Sequence, residues 1–277
     1  MQVKFGIAIF PTDYAISMTE LAPALEQAGF ESLWVAEHSH VPTSRETPYP
    51  GGGEIPRMYK HTMDPFVALT AAATASKTLL VGTGICLLIQ RDPIHTAKEA
   101  ASLDVISNGR FIFGVGGGWN RDEMANHGTE LSKRWKVLRE RVEAVKEIWT
   151  KDEPEYHGEF VNFAPMWSWP KPIQKPHPPV LLGGNGENTL KRVIAYADGW
   201  MPNRGSALDR IPELRQMEKG AGRGHIPVTF YPRETPGDIE RAAAAGVERC
   251  IFYVPPDGRA PALTKLHELT RLVAPYR

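Results

Sequence analysis

The sequence has little cysteine, no net charge and no long hydrophobic run. Its two cysteines, Cys86 and Cys250, lie in apolar, strand-like stretches, which predicts reduced core thiols of a cytoplasmic protein rather than a disulfide framework. The 32 basic and 32 acidic residues cancel, so nothing favours a nucleic acid or an acidic membrane surface as partner. No run of about 18 apolar residues occurs, and no basic leader precedes the first helical pattern, which argues against a membrane span or a signal peptide.

The motifs of several enzyme classes are also missing. None of the nine histidines are paired at i, i+4, and His40 and His61 lack cysteine or carboxylate neighbours at metal-site spacing, so we predict no metal site. There is no Gly-x-Ser-x-Gly turn and no phosphate loop of the Gly-x-x-x-x-Gly-Lys-Ser/Thr type. The Gly-x-Gly strings lack the acidic ribose-binding position of a Rossmann unit, so NAD is not expected on that fold.

What the sequence does contain is an alternation of short apolar β-branched runs and helical patterns. This alternation predicts eight strands in parallel βα units, the first at Val3–Phe10 and the last at Arg249–Val254. The 277 residues suit a (β/α)8 TIM barrel, which typically needs about 250. We therefore predict an α/β chain folded as one barrel domain, residues 1–277. Two proline-rich insertions, residues 39–62 after strand 2 and residues 152–179 after strand 4, are expected to close over a substrate.

Four polar or glycine-rich clusters fall at the predicted carboxyl ends of strands, where TIM barrels carry their active sites. They are Glu37-His38, Thr83 to Cys86, Gly116 to Asn120, and Gly183 to Gly186. A histidine can act there as an acid or a base, although a strand-end histidine is also commonly a structural residue. Glycines let a ligand lie against the main chain, and free amides at a helix start bind phosphate, although such turns also need glycine for geometry alone.

Several motifs taken together resemble the luciferase-like monooxygenase superfamily, and within it the oxidoreductases that depend on coenzyme F420, a deazaflavin. They are Trp34-Val-Ala-Glu-His38, Gly82-Thr-Gly-Ile85, Ser107-x-Gly-Arg-Phe111 and Gly114-Val-Gly-x-Gly-Trp119, in a resemblance that runs from Val3 to about Val254. The resemblance implies the same barrel, a homodimer, and a strand bulge behind the cofactor ring with a cis peptide at Gly84-Ile85. The cofactor-binding residues that we expect are Thr83, Gly84, Ile85, Cys86, Gly116, Gly117, Gly118, Gly183, Gly184, Asn185 and Gly186, the last four at the phosphate of the cofactor tail.

The resemblance also directs the choice of catalytic and pocket residues. It implies that His38 lies beside the reactive edge of the ring, with Glu37 as the second candidate. The F420-dependent sugar-phosphate dehydrogenases have a glutamate where this chain has Trp119, and that departure points to an apolar or aromatic substrate pocket. The expected walls are Trp119, His61, Met166 and Trp167, although the tryptophans of residues 152–179 could equally pack the insertion itself.

These expectations describe an oxidoreductase that transfers a hydride between F420 and a small organic substrate. A monooxygenase that uses reduced FMN is the first alternative, because the same barrel accommodates either ring. A flavin-binding barrel without turnover is the second. The sequence does not identify the substrate.

Overall fold

The computed structural model describes residues 3–277, in which eight parallel strands and two short antiparallel ones are found. The strands are β1 (Lys4–Ile9), β2 (Ser32–Val35), β3 (Leu80–Thr83), β4 (Phe111–Val115), β5 (Tyr156–His157), β6 (Asn162–Phe163), β7 (Val180–Gly183), β8 (Gly199–Met201), β9 (Thr229–Phe230) and β10 (Arg249–Tyr253). The parallel strands pair in the order β8-β7-β4-β3-β2-β1-β10-β9, and a parallel bridge between Trp200 and Val228 brings the two ends together. The predicted (β/α)8 barrel is confirmed.

Helices surround this barrel. They are α1 (Met18–Gln27), α2 (Arg57–Lys60), α3 (Pro65–Ala75), α4 (Pro93–Ile106), α5 (Arg121–Asn126), α6 (Arg134–Thr150), α7 (Thr189–Tyr196), α8 (Ile211–Gly220), α9 (Pro236–Ala244) and α10 (Arg259–Val273). Their starts follow from the sequence: Asp64 and Asp92 each precede a proline and accept hydrogen bonds from the first free amides of α3 and α4. Over residues 3–277, no helix is both long and apolar enough to span a bilayer.

Six buried side chains, one from each of six barrel strands, fill the inside of the barrel. Ala8, Trp34, Ile112, Leu181, Met201 and Ile251 pack together there, with Ile85 and Tyr231 against them. Trp34 is fully buried and donates its indole N–H to Ser32, 2.8 Å away. A Cβ at Gly82 would lie 2.6 Å from the Trp34 ring, so this strand position has to be glycine. The inside of the barrel is therefore a packed core.

The two insertions lie at opposite ends of the barrel. Residues 39–62, which we call the mouth loop, leave the carboxyl end of β2. Residues 152–179, the base insertion, connect the last turn of α6 with the first residue of β7. Within the base insertion, Lys171 donates to the carbonyl of Ile148 over 2.6 Å, and Gln174 donates to the carbonyl of Phe111 over 2.7 Å. These partners are a helix end and a strand start, so the expectation that residues 152–179 close over the substrate is wrong.

Candidate active site at the carboxyl end of the barrel

A buried histidine–carboxylate pair lies just beyond β2. His38 Nδ1 is 2.7 Å from Glu123 Oε2, and the side chains are 7% and 0% exposed. Glu123 also accepts from the backbone N–H of Ser39 over 3.1 Å. An ionised carboxylate can only accept, so Nδ1 carries the proton and donates it. The other ring nitrogen, Nε2, has no hydrogen-bond partner within residues 3–277 and is left to accept or donate a proton.

Glu123 was missed by the sequence analysis, although a signal for it exists. Asn120 caps α5 by accepting from the amides of Asp122 and Glu123, and a glutamate three residues after such a cap is the pattern of a capping box. In that motif the glutamate turns back to the cap residue. Here its carboxylate reaches His38 instead, 85 residues away in the chain, which a local pattern does not reveal.

Glu37, the second catalytic candidate, is held by structural contacts. One carboxylate oxygen accepts the N–H of Leu87 over 2.6 Å, and the other accepts Nε of Arg91. Arg91 in turn contacts Asp64 and Glu99, and it lies over the ring of Phe66. Glu37 is 6% exposed, so both of its oxygens are committed to holding the chain that follows β3. Its role in this geometry is to position that segment.

The segment that Glu37 holds is the glycine-rich end of β3. The Gly84–Ile85 peptide is cis, as the resemblance implied. Thr83 and Cys86 are fully buried and bind the Gly114 carbonyl, one through its hydroxyl and the other through its N–H, each over 2.7 Å. Burial and the nearby Glu37 carboxylate raise the pKa of the Cys86 thiol, which keeps it protonated. Gly84 and Ile85 remain half-buried and present the surface of this segment.

The glycines of the next two loops fit around Ile85. A Cβ at Gly116 would lie 2.0 Å from Ile85 Cδ1, and one at Gly183 would lie 3.1 Å from Ile85 Cγ2. The structure thus brings three of the four predicted clusters to one place. Gly117 lies against Trp135 of α6, and Gly118 adopts a left-handed φ of +59°.

The turn between β7 and α7 is exposed to solvent at residues 186–188. Gly184 has a φ of +142°, and Asn185 exchanges hydrogen bonds with Asn203 over 2.6 and 3.2 Å. The Thr189 hydroxyl lies beside Gly184 and Gly186, is fully buried, and has no hydrogen-bond partner within residues 3–277. An orphaned buried hydroxyl at a helix start is a ready partner for an anionic oxygen.

Aromatic side chains from the mouth loop and from the loop between β4 and α5 cover His38. Its ring centroid lies 4.9 Å from that of Tyr59 and 5.8 Å from that of Trp119. Tyr49 packs edge-on against both Tyr59 and Trp119, and the two tyrosine hydroxyls are 3.4 Å apart. Burial and the Tyr49 hydroxyl raise the pKa of Tyr59, so this phenol stays neutral at physiological pH. Tyr49 and Tyr59 were not recognised in the sequence, because a tyrosine in a long loop carries no periodic signal.

Two of the remaining predicted pocket residues, Trp119 and His61, lie at the carboxyl end of the barrel. Trp119 packs on His38, and His61 follows α2 and is hydrogen-bonded to Asp13 over 2.9 Å. Met166 and Trp167 belong to the base insertion: Met166 donates its N–H to the carbonyl of Pro154, and the Trp167 indole donates to Glu153 over 3.0 Å while remaining 79% exposed. Both therefore lie on the face opposite His38, and their assignment to the substrate pocket is corrected.

Comparison with known proteins agrees with this architecture. The luciferase-like monooxygenase family matches residues 9–276. An uncharacterized protein of Mycobacterium tuberculosis is 37% identical over 261 residues, which cover 91% of this chain and 92% of the relative. The coenzyme F420-dependent tetrahydromethanopterin reductase of Methanopyrus kandleri has a similar fold, with a TM-score of 0.77, 20% identity, and coverage of 100% of this chain and 99% of that one. The monooxygenase RslO1 of Streptomyces bottropensis is equally similar, with a TM-score of 0.78, 20% identity, and coverage of 99% and 98%.

Proposed function

The chain belongs to the luciferase-like monooxygenase family, and we propose that it transfers a hydride between coenzyme F420 and a small organic substrate. The observation that carries the proposal is the pair formed by His38 and Glu123, whose 2.7 Å contact leaves Nε2 as a proton acceptor at the carboxyl end of the barrel. Hydride transfer from an alcohol needs such an acceptor, because the hydroxyl proton leaves as the carbon loses its hydride.

The residues at the mouth fit a tricyclic cofactor with a phosphate tail. The half-buried main chain of Gly84 and Ile85 offers a surface for a flat ring, and Glu37 fixes that surface through Leu87. The amides of Gly184 to Gly186 and the orphaned Thr189 hydroxyl suit the phosphate. When bound, the deazaflavin would supply a ring carbon that accepts or returns the hydride, and the protein would supply orientation and a dry environment.

His38 handles the proton in this proposal. Glu123 keeps the imidazole in the tautomer with its proton on Nδ1, so the Nε2 lone pair is free to take the proton of a substrate hydroxyl. The buried carboxylate also stabilises the imidazolium that results. In the opposite direction the imidazolium returns the proton to a carbonyl oxygen.

The aromatic cover indicates the kind of substrate. Tyr49, Tyr59 and Trp119 bring ring faces and neutral phenols close to His38, and no charged side chain is among them. Such walls suit an apolar or aromatic alcohol or carbonyl compound rather than a sugar phosphate. The rings also exclude water from the reacting atoms, which favours transfer of a hydride over its loss to solvent.

Parallel titrations with F420 and FMN test the cofactor. We expect F420 to bind at least tenfold more tightly, about 1.4 kcal/mol. A panel of apolar alcohols deuterated at the carbinol carbon then tests the reaction, with label expected in the reduced deazaflavin. Tenfold tighter binding of FMN, together with substrate oxygenation by reduced FMN, would establish the monooxygenase alternative. Binding of F420 without turnover of any alcohol or ketone would favour a cofactor-binding barrel.

The proposal includes a homodimer, as the resemblance implies. Sedimentation equilibrium of the purified chain tests this, with a mass of twice 30.7 kDa as the expected result. A single species of 30.7 kDa would contradict the dimer and leave the proposed chemistry in place.

A further inference from the structure

The hydrogen bonds of Glu123 continue from the active site to the protein surface. Its second oxygen, Oε1, lies 3.4 Å from the hydroxyl of Ser39. That hydroxyl is 2.7 Å from His127 Nε2 and 2.9 Å from His40 Nδ1. Ser39 and His127 are exposed, whereas Glu123 is fully buried. An unbroken chain of exchangeable groups therefore joins His38 to solvent.

We propose that Glu123, Ser39 and His127 form a proton relay that connects His38 Nδ1 with solvent on the outer side of the barrel. The inference rests on the proposed function for its role in turnover. The relay itself is a property of the protein without any ligand.

The packing around His38 explains why such a route is needed. Tyr59 and Trp119 lie against its ring, with centroids at 4.9 and 5.8 Å, and only 8% of the residue is exposed. A proton taken up on Nε2 therefore has aromatic rings around it. The polar way out runs from the opposite ring nitrogen through Glu123.

The orientation of the surface histidines suits the relay. The side-chain amide of Asn126 lies 2.8 Å from His40 Nε2 and donates to it, so His40 carries its proton on Nδ1 and donates to Ser39. The Ser39 oxygen accepts this bond, and the single Ser39 hydroxyl proton can be donated to either Glu123 or His127. Partial desolvation by the surrounding side chains and the neighbouring His40 lower the pKa of His127, and this makes it a neutral acceptor near pH 7.

The proton steps balance along this path. Nε2 of His38 first takes the substrate proton, and the resulting imidazolium then passes its Nδ1 proton to Oε2 of Glu123. A half-turn of the protonated carboxyl group carries this proton from the Oε2 position, which faces His38, to the Oε1 position, which faces Ser39. Glu123 then protonates the Ser39 oxygen, the original hydroxyl proton moves to His127 Nε2, and His127 releases a proton to water. After the product leaves, the Nε2 proton is lost through the open mouth, and a proton from water returns by the same route to Nδ1. The network leaves the site neutral before the mouth opens.

Four charged or titratable side chains act on His127: the acidic Glu123 and Glu37, and the basic His40 and Arg141.

Three variants test the relay. Ser39→Ala removes the bridging hydroxyl and keeps the backbone N–H bond to Glu123. His127→Gln keeps a polar side chain that cannot carry a proton. His157→Gln is the matched control, because His157 is an exposed histidine of the base insertion.

Exchange of the His38 Nδ1 proton with water, followed by NMR on the ligand-free protein, tests the relay independently of the cofactor. We expect the exchange to be at least tenfold slower in Ser39→Ala and His127→Gln than in the wild type and in His157→Gln. Equal exchange rates in all four proteins would overturn the relay. Because no ligand is present, this result is independent of whether F420 is the cofactor.

The role in turnover is tested with the holoenzyme, F420 and an alcohol that it oxidises, using a pH indicator and deazaflavin absorbance in the same stopped-flow experiment. We expect proton release to keep pace with hydride transfer in the wild type. In both relay variants it should lag at least tenfold, while the first hydride transfer stays within twofold, and added imidazole should restore it in His127→Gln. Unchanged timing of proton release would contradict the relay. An enzyme without F420-dependent turnover would contradict the proposed function, and the exchange measurement would then decide the relay alone.

Discussion

The mouth loop and the base insertion look alike in sequence and have opposite roles in the structure. Both are long and rich in proline and aromatic residues, and both interrupt the regular alternation of strands and helices. The mouth loop follows a strand and places Tyr59 on His38, whereas the base insertion follows a helix and packs on the starts of strands. The comparison teaches that the type of connection, strand to helix or helix to strand, decides which end of a barrel an insertion covers. Length and composition do not.

The sharpest test of this difference is removal of the histidine at the mouth. Because general acid–base groups typically contribute about 10²–10⁴-fold, His38→Ala should lower the rate of hydride transfer by at least about 100-fold. Stopped-flow reduction of F420 by a deuterated and an undeuterated alcohol measures this rate. His157→Ala, at the other end, is the control and should leave it unchanged. A loss of less than threefold in His38→Ala would refute the catalytic role.

A second test concerns Glu37, which holds the chain that follows β3 in place. Glu37→Gln places an amide against Arg91 and removes the one buried carboxylate among its three partners, so we expect the free energy of unfolding to fall by about 3 kcal/mol. F420 affinity should fall with it, because Arg91 no longer fixes the side chain whose other oxygen accepts the Leu87 N–H. Urea denaturation and ligand titration measure the two effects.

Arg91 supplies a matched control for that test. Glu99→Gln changes a carboxylate that is 41% exposed and contacts the same guanidinium, so it should cost less than about 1 kcal/mol. If the two variants were equally stable, the assignment of Glu37 as the buried anchor would be wrong.

The two insertions can be compared directly by shortening one aromatic in each. Tyr59→Ala opens the cover of His38 and should raise KM for an apolar substrate by about tenfold, equivalent to about 1.4 kcal/mol of lost contact. Trp167→Ala changes a side chain that is 79% exposed on the opposite face, and its KM should match that of the wild type. Steady-state kinetics at saturating F420 decides between them, and an equal rise in both variants would place the base insertion in the substrate path.

The smallest expected effect lies in the base insertion and concerns pH. Burial lowers the pKa of His177, which lies on the Trp149 ring with its Nδ1 2.8 Å from the Pro178 carbonyl. The unfolded chain therefore binds a proton more readily than the folded chain below about pH 6.5, so stability falls as the pH drops through this window. His177→Gln should reduce the difference in Tm between pH 7.5 and pH 5.5. Thermal unfolding followed by circular dichroism measures it, and an unchanged difference would exclude His177 as its source.

Much of the fold could be read from local patterns. The alternation of apolar runs and helical periodicity predicted all eight barrel strands. The short helix α5 was not predicted, since six residues carry too little periodicity. The Gly84–Ile85 cis peptide followed from the resemblance rather than from the residues themselves.

The sequence by itself determined the barrel, because strand and helix periods are local properties, and it determined that glycine-bearing strand ends would meet at one rim, because parallel strands share their direction. Only the tertiary structure decided the partners across that rim. Glu123 reaches His38 over 85 residues, Glu37 turns to Arg91, and Trp167 lies on the far face. Side-chain partners depend on the distance between elements and on the end at which each connection emerges, and neither quantity is encoded in the neighbourhood of a single residue.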